Sequence, residues 1–294
     1  MSGWTLGVIG GSGLYDIDGL EDRRTVRVAS PFGEASGDLT LGRIGDVNLV
    51  FLPRHGAGHR LSPSSVNARA NIDVLKRVGC TDVLALSAVG SLREDLSPGT
   101  FVLVDQYIDR TFAREKSFFG EGMVAHVSMA DPVCPRLSKH AAAAAQAVGA
   151  RVVEGATYLA MEGPQFSTRA ESELYRTWGC HVIGMTGMPE AKLAREAELP
   201  YACVSMVTDY DCWRSDEAAV EVDHVIAVLM QNADTGRALV AALAAGLPPE
   251  RDPSPIDTCL DTALITAPDA RDPAVLAMLD AVAGRVISKA NVTA

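Results

Sequence analysis

Two acidic residues separated by a single tyrosine stand where a carboxyl group could exchange a proton with a bound base. Asp209 and Asp211 follow an apolar run, Tyr201–Val207, that is typical of a buried strand. In an extended segment, side chains two residues apart point to the same side and can enter one pocket. One carboxyl group could then exchange a proton with a ring nitrogen while the other holds the ring in place. Taken alone, the Asp-Tyr-Asp pattern is more often a solvated acidic loop.

A glycine-rich turn near the N-terminus could hold an anion. Residues 10–13 (Gly-Gly-Ser-Gly) follow the apolar run Thr5–Ile9, which predicts a buried strand leading into a tight turn. Small residues let successive backbone N–H groups converge on an anion, and Ser12 adds a hydroxyl. The turn lacks the third glycine of a dinucleotide-binding loop, because Asp16 occupies that position, and it lacks the Gly-Lys-Ser/Thr of a P-loop. A tight turn without a ligand is the alternative.

Three more predicted strand ends carry hydroxyls, glycines or an arginine. They are Arg54 with His55, the segment 87–91 (Ser-Ala-Val-Gly-Ser) and the segment 185–187 (Met-Thr-Gly). A guanidinium can bind a phosphate through two parallel N–H bonds. Each segment alone could be an ordinary surface loop, but open α/β sheets bind ligands at the carboxyl ends of their strands. Four such ends together therefore favour one shared anion site.

The order of the predicted elements indicates an α/β fold. Apolar runs typical of strands alternate along the chain with segments that have helical spacing, such as Ser65–Val78. Two of the runs, Leu39–Ile44 and Val47–Leu52, form a predicted hairpin. Because a hairpin is antiparallel, we expect a mixed central β-sheet flanked by helices.

The same pattern indicates a single domain with a C-terminal addition. We expect the domain to cover residues 1–245 and to end in a long helix over Val222–Ala245. Residues 246–294 would add a loop rich in Pro and Asp and a terminal helix at Asp272–Ser288 to the same domain.

The composition argues against several classes of partner. A formal net charge of -11 disfavours a nucleic-acid or anionic-membrane surface, which would need an excess of Lys and Arg. No segment approaches the run of roughly 18 apolar residues that a membrane span needs, and residues 1–13 lack the basic region and cleavage site of a signal peptide. The six cysteines form no C-x-x-C pair and no zinc-type cluster. We therefore expect free thiols, no metal site and a cytoplasmic protein.

Eight longer motifs resemble those of one enzyme family. They are IGGSGL (9–14), SPFGEAS (30–36), PRHG (53–56), VGSLRE (89–94), DQYIDRT (105–111), EGPQFSTRAES (162–172), MTGMPEAKLARE (185–196) and TDYDCW (208–213). The chain is similar to the methylthioadenosine phosphorylases, which lie within the trimeric purine nucleoside phosphorylases. The resemblance covers roughly residues 5–245, and none of the motifs lies beyond them.

The resemblance implies a role for each matching position. The implied phosphate-binding positions are Ser12, Arg54, His55, Ser87, Ala88 and Thr186. The implied ribose and purine contacts are Val89, Gly90, Phe166, Ser167 and Met185, and the implied pair that recognises and protonates the base is Asp209 and Asp211. The implied 5'-methylthio pocket is formed by Val222, Val225 and Ile226, together with His126 lent by a neighbouring subunit. The resemblance therefore implies a homotrimer or a dimer of trimers.

The implied reaction is phosphorolysis of S-methyl-5'-thioadenosine to adenine and 5-methylthioribose 1-phosphate, as in purine and methionine salvage. Inorganic phosphate would be the co-substrate and nucleophile, so the resemblance implies neither a cofactor nor a metal. Asp209 would share a proton with N7 of the departing adenine. An ionised aspartate accepts from the 6-amino group, whereas family members that act on 6-oxopurines carry Asn there, so Asp209 favours 6-aminopurines.

Departures from the family pattern keep other substrates open. Ser12 and Ser87 stand where many relatives carry Thr and keep the hydroxyl, while Gln165 replaces a common arginine. Gly184 and Gly187 bring their loop closer to bacterial methylthioinosine phosphorylases. Adenosine, 5'-deoxyadenosine, inosine and methylthioinosine are therefore alternative substrates. A water-using nucleosidase, a dehydrogenase and a non-catalytic purine-binding module agree less well with a phosphate cradle beside an acid pair.

Overall fold

The computed structural model describes residues 3–11, 17–214 and 222–292, and its centre is one nine-stranded mixed β-sheet. The strands are β1 (Thr5–Gly10), β2 (Glu21–Val26), β3 (Leu39–Ile44), β4 (Val47–Pro53), β5 (Asp82–Ser91), β6 (Thr100–Asp109), β7 (Arg151–Ala160), β8 (Val182–Gly184) and β9 (Tyr201–Asp209). The helices are α1 (Ala68–Arg77), α2 (Pro135–Ala147), α3 (Arg169–Thr177), α4 (Glu190–Glu196), α5 (Val222–Gly246), α6 (Pro273–Met278) and α7 (Gly284–Val292). None of these helices, within the described ranges, is long and apolar enough to cross a lipid bilayer. The predicted α/β fold with a mixed sheet is confirmed.

Four neighbouring strands of the sheet run in the same direction. The strand order is β2-β3-β4-β1-β5-β8-β7-β6-β9, and β9 also pairs with β5, so the sheet curls back on itself. β1 is parallel to β4 and β5, and β5 is parallel to β9. The predicted hairpin of β3 and β4 is antiparallel, as is the pairing of β6 with β9. The carboxyl ends of the strands β4, β1, β5 and β9 therefore lie side by side, on the same side of the sheet.

Helices cover both faces of the sheet, and the side chains of β5 alternate between the two layers. Val83 and Ala85 belong to a buried apolar cluster that includes residues of α1 and α4. Leu84 and Leu86 belong to a second cluster that includes residues of α2 and α5. Successive residues of a strand point to opposite faces. A strand buried on both faces therefore appears in the sequence as one continuous apolar run.

Two elements differ from the sequence pattern. The pattern does not predict β2, because this strand is polar and exposed and pairs with β3 at the edge of the sheet. The single terminal helix predicted at Asp272–Ser288 is wrong, since α6 and α7 are separate helices. The chain turns between them because Leu279, Val282 and Ala283 are all buried in the core.

Ion pairs attach the segment that follows α5 to the rest of the fold. Arg251 binds Asp82, at the start of β5, with a 2.5 Å contact, and it also binds Asp257. Asp82 is fully buried and accepts a second hydrogen bond from Arg136 in α2. Arg285 in α7 binds the carboxylate that follows α4. The C-terminal segment is therefore packed against the sheet and α4.

Replacing Asp82 by alanine should destabilise the fold strongly. The substitution would leave the guanidinium groups of Arg136 and Arg251, both largely buried, without their shared carboxylate. We expect the free energy of unfolding, measured by urea denaturation, to fall by about 3–5 kcal/mol. Arg27→Ala, which removes an exposed pair with Glu34, should leave it nearly unchanged. Equal effects of the two substitutions would contradict this role for Asp82.

Candidate active site

Several predicted site residues lie where the four parallel strands end. β4 leads into Arg54 and His55, the end of β5 carries residues 87–91, and β9 ends at Asp209. The backbone N–H of Arg54 donates to the carbonyl oxygen of Gly10, at the end of β1, over 2.9 Å. The ends of β4 and β1 are thus hydrogen-bonded to each other. Ser12, which follows β1, lies outside the described residues.

Arg54 is a buried cation whose guanidinium is largely occupied by the protein. Its Nε and Nη2 donate to the two carboxylate oxygens of Glu190, over 2.5 and 3.0 Å, and Nη1 donates to the carbonyl of Leu86 over 2.8 Å. Nη2 also lies 3.5 Å from the carbonyl of Ile9. Burial lowers the pKa of Arg54, but the carboxylate of Glu190 outweighs it and raises the pKa above its usual value. Of the five N–H groups of a guanidinium, one on Nη1 is left for a ligand.

His55 is held as a neutral imidazole in one tautomer. Its Nδ1 lies 2.9 Å from the carbonyl oxygen of Leu61, which can only accept, so the proton is on Nδ1. Burial, and then the charge of Arg54, lower the pKa of His55 to about 4. The ring stacks on that of His59 at 4.2 Å between centroids. Nε2 of His55 is therefore left as a hydrogen-bond acceptor at neutral pH.

The loop that carries Thr186 is shaped by two tyrosines, of which Tyr158 is buried and Tyr107 is half-buried. The backbone N–H of Thr186 donates to Oη of Tyr158 over 3.2 Å, and its hydroxyl lies 3.2 Å from the same atom. A Cβ at Gly184 would lie 2.1 Å from Oη of Tyr158, and a Cβ at Gly187, where φ is 78°, would lie 2.8 Å from the ring of Tyr107. Glycine is needed at both positions because the tyrosine side chains lie against the backbone of this loop and leave no room for a Cβ atom. Arg54, His55, Met185 and Thr186 line one cleft.

The end of β5 presents a hydroxyl on one face and small residues on the other. Ser87 is buried, and its Oγ lies 3.3 Å from Oγ of Ser205 in β9. Ala88 and Gly90 are half-buried on the opposite face. The side chain of Val89 packs in the apolar core. Any contact of Val89 with a ligand would therefore use its backbone.

The acid pair is oriented by hydrogen bonds from its own segment. Oδ1 of Asp209 accepts from the backbone N–H of Asp211 and Oδ2 accepts from the hydroxyl of Thr208, both over 2.7 Å. Burial, reinforced by the charge of Asp209, raises the pKa of Asp211. A Cβ at Gly90 would lie 3.0 Å from Oδ1 of Asp209 and 3.3 Å from Cβ of Asp211. Glycine at this position thus lets the pair lie against β5.

β5 joins the two ends of the site. Arg54 binds the carbonyl of Leu86, whereas the acid pair lies beside Gly90. Four residues of extended strand span about 13 Å. This separation leaves room for a sugar ring between an anion and a planar base.

Known proteins match this chain along nearly its whole length. The sequence profile of the Phosphorylase superfamily matches residues 5–245. S-methyl-5'-thioadenosine phosphorylase of Bradyrhizobium diazoefficiens is 62% identical over 284 residues, which are 96% of this chain and 98% of that relative. The protein of the same name from Cereibacter sphaeroides is 61% identical with the same coverage. The chain belongs to the methylthioadenosine phosphorylases, within the Phosphorylase superfamily. The membership predicted from the eight motifs is confirmed.

Solved structures of the family share the fold. A methylthioadenosine phosphorylase from an antarctic soil metagenomic library is 45% identical, with a TM-score of 0.91, over 96% of this chain and 99% of that one. The methylthioadenosine phosphorylase of Schistosoma mansoni in complex with adenine is 39% identical, with a TM-score of 0.78, over 82% and 91% of the two chains.

The remaining family positions differ in how far the structure describes them. Phe166 is 46% exposed, whereas Ser167 is buried and its carbonyl accepts from the thiol of Cys212 over 3.2 Å. That contact ties residues 166–167 to the segment of the acid pair. Val222, Val225 and Ile226 lie in the first turns of α5, but their side chains are outside the part of the chain that is described.

His126 lies on a separate surface cavity. It is exposed and lines a cavity of about 400 Å³ with Lys116, Lys192 and Glu196. Its backbone N–H donates to the carbonyl of Ala263 over 2.9 Å, so the C-terminal segment supports it. The cavity and the cleft at Arg54 are lined by different residues of this chain.

Three buried charged residues at the cleft are not among the predicted ligands. They are Glu190, which pairs with Arg54, and the pair of Arg114 and Glu162, whose Nε and Oε1 are 3.3 Å apart. Glu162 and Glu190 fall within two of the family motifs, while Arg114 falls outside all eight. In the described parts of the chain, no group of three or more His, Cys, Asp or Glu side chains is arranged to hold a metal ion.

The buried carboxyl group of Glu196 should make stability depend on pH. It accepts from the hydroxyl of Ser117 and the N–H of Phe118, yet burial raises its pKa to about 7. Between pH about 4.5 and 7 the folded chain binds a proton that the unfolded chain lacks, so its stability falls as pH rises through this window. Relative to Glu196→Gln, the wild type should lose about 2–3 kcal/mol of unfolding free energy there.

Urea denaturation at a series of pH values measures this difference. Glu94→Gln, at an exposed glutamate, is the control and should follow the wild-type curve within about 0.5 kcal/mol. If plots of unfolding free energy against pH are parallel for the wild type and Glu196→Gln, Glu196 titrates as it does in water and the prediction is wrong.

Proposed function

We propose that this chain catalyses the phosphorolysis of S-methyl-5'-thioadenosine to adenine and 5-methylthioribose 1-phosphate. One observation carries the proposal: the anion cleft at Arg54 and the acid pair at Asp209 lie at two ends of one strand segment about 13 Å long. A nucleoside bound along β5 would have its base at one end and a phosphate at the other. The relatives that are 61–62% identical carry the name of this activity.

Inorganic phosphate is the nucleophile in this proposal, so neither a cofactor nor a metal ion takes part. Thr186 and the remaining N–H of Arg54 donate to it, and Nε2 of His55 accepts from its hydroxyl. Ser12, Ser87 and Ala88 complete the cradle. The cleft holds one phosphate oxygen against C1', where an oxocarbenium-like charge develops and is stabilised by the anion.

The acid pair completes the reaction at the other end of β5. A phosphate oxygen forms a bond to C1', the bond from C1' to N9 breaks, and the departing adenine takes a proton at N7. Asp209 in its carboxylic acid form, oriented by Thr208 and by the N–H of Asp211, donates that proton and is left as a carboxylate, while Asp211 holds the base. General acid assistance of this kind contributes about 10²- to 10⁴-fold.

We infer a homotrimer, or a dimer of trimers, with His126 of one subunit entering the 5'-methylthio pocket of its neighbour. That pocket would otherwise be formed by Val222, Val225 and Ile226. The exposed position of His126, and the 81% exposure of the Phe112 side chain, support a surface that is covered by another copy. Val89, Gly90, Phe166, Ser167 and Met185 would contact the ribose and purine.

We infer that the enzyme works in the cytoplasm in purine and methionine salvage. All six cysteines are free thiols, and four of them are buried. Free thiols are typical of a reducing compartment.

Release of adenine from S-methyl-5'-thioadenosine should require phosphate. Purified protein is incubated with the nucleoside with and without phosphate, and adenine and 5-methylthioribose 1-phosphate are measured. We expect both products only with phosphate, because the nucleophile must occupy the cleft at Arg54. Equal adenine release in the two reactions would rule out phosphorolysis. Methylthioinosine, inosine, adenosine and 5'-deoxyadenosine in parallel reactions test the alternative substrates.

Asp209→Asn should lower turnover of S-methyl-5'-thioadenosine by at least roughly tenfold, because an amide cannot give up a proton to N7. Turnover of methylthioinosine should fall less, since the Asn amide can donate to a 6-oxo group. Steady-state kinetics with both nucleosides measure the two effects. Asp46→Asn, in the exposed turn between β3 and β4, is the control. An equal loss with both nucleosides would point to general damage and remove Asp209 from this role.

A further inference from the structure

Arg114 lies in the wall of the cleft, and every N–H of its guanidinium is used by the protein. Nη1 donates to the carbonyl oxygens of Met185 and Met188, over 2.7 and 2.8 Å. Nη2 donates to the carbonyl oxygens of Met161 and Glu162, over 3.2 and 2.6 Å, and Nε donates to Oε1 of Glu162 over 3.3 Å. The side chain is only 5% exposed. These five bonds exhaust the donors of an arginine, so Arg114 has none left for a ligand.

Glu162, the partner of Arg114, forms hydrogen bonds with two further segments of the chain. Its carboxylate accepts from the hydroxyl of Ser64 and from the backbone N–H groups of Phe112 and Ala113, the latter two over 2.6 and 3.2 Å. Burial works against the charge, but the hydrogen bonds from Ser64, Phe112 and Ala113 and the charge of Arg114 lower the pKa of Glu162 to about 2. The carboxylate is therefore ionised and paired with Arg114 at neutral pH.

The four carbonyl groups bound by Arg114 belong to two loops at the cleft. Met185 and Met188 bracket Thr186, the hydroxyl proposed to bind phosphate, and the other loop follows β7. Tyr158 holds the N–H of Thr186 from a different direction, over 3.2 Å. Between Tyr158 and Arg114, the loop that carries Thr186 is fixed through both its N–H and its carbonyl groups.

We propose that Arg114, clamped by Glu162, is a positioning residue that sets where Thr186 and Met185 stand relative to Arg54 in the cleft. This inference rests on the proposed phosphorolysis. The inference gives the two buried arginines of the cleft different roles. Arg54 keeps one N–H for the anion, whereas Arg114 acts on the reaction only through the loops that it binds. A displacement of about 1 Å in a positioning group can cost about 10²-fold in rate.

Lysine is the informative replacement, because it keeps the charge and much of the length but loses the planar fork that reaches four carbonyl groups at once. We expect Arg114→Lys to raise the KM for phosphate and to lower kcat/KM for phosphate by at least about tenfold. The dissociation constant of adenine, measured without phosphate, should change less than the phosphate KM, because the base binds at the acid pair beside Gly90 and Met185 is only one of its proposed contacts.

Arg251→Lys is the matched control. Arg251 also binds two carboxylates and a backbone carbonyl, but these belong to Asp82 at the start of β5, to Thr81 before it and to Asp257 in the C-terminal segment. Asp82 is about 26 Å along β5 from Gly90. This variant should leave both the phosphate KM and the adenine dissociation constant within about twofold of the wild type.

The outcomes separate this inference from the proposed function. If the wild type releases no phosphate-dependent adenine, the proposed function fails. If the wild type is active and Arg114→Lys has the wild-type KM for phosphate, only the positioning role fails. A loss of adenine binding equal to the loss of phosphate affinity would also overturn it, because the effect would then be general.

Should Arg114→Lys fold poorly, Glu162→Gln provides the second measurement. It keeps the carbonyl oxygen that can accept from Arg114 but removes the charge and one acceptor. We expect a smaller rise in the phosphate KM, about threefold or more, with a smaller change in the dissociation constant of adenine. A wild-type phosphate KM in this folded variant would contradict the role of Glu162 in holding Arg114.

Discussion

A buried ion pair between Arg54 and Glu190 determines how the phosphate side of the site is built. Both side chains are at most 5% exposed, and a charge at such a depth is tolerated only when it is paired and hydrogen-bonded. The pair joins the end of β4 to the start of α4, and the same guanidinium reaches the carbonyl of Leu86 in β5. Three elements are therefore fixed around one cation before a ligand binds. A preorganised charge of this kind needs little rearrangement during a reaction.

The short helix α4 extends this arrangement outwards. Its seven residues include Lys192, which binds Asp109 at the end of β6, and Arg195, which binds the carbonyl of Ser128. Glu196 holds the segment at Ser117. Charged side chains are rarely buried unless they are hydrogen-bonded. The partners of buried Arg195 and Glu196 lie on two loops, whereas half-buried Lys192 binds the end of a strand. The loops around the candidate site, including the one that carries His126, therefore depend on the helix that also positions Arg54.

Short sequence patterns are sufficient to predict the local features of the site. Continuous apolar runs predict buried strands because both faces of the sheet are covered, and β1, β4, β5 and β9 are found where these runs lie. The residue types at their ends, such as Arg54 and the Asp209–Asp211 pair, identify the chemistry before any contact is known. Family motifs identify further positions, including Thr186. These features are local, since they depend on side-chain periodicity and on turn residues within a few positions of one another.

Which of these features lie next to one another depends on how the chain folds. The partner of Arg54 lies 136 residues further along the chain, and nothing near Arg54 predicts it. Asp209 reaches Gly90 because β9 pairs in parallel with β5 as the sheet curls back on itself. The separation of α6 from α7 likewise follows from burial of Leu279 between them. Strand pairing and the matching of buried charges are long-range events, set by packing and by the cost of an unpaired buried charge, and short sequence patterns do not encode them.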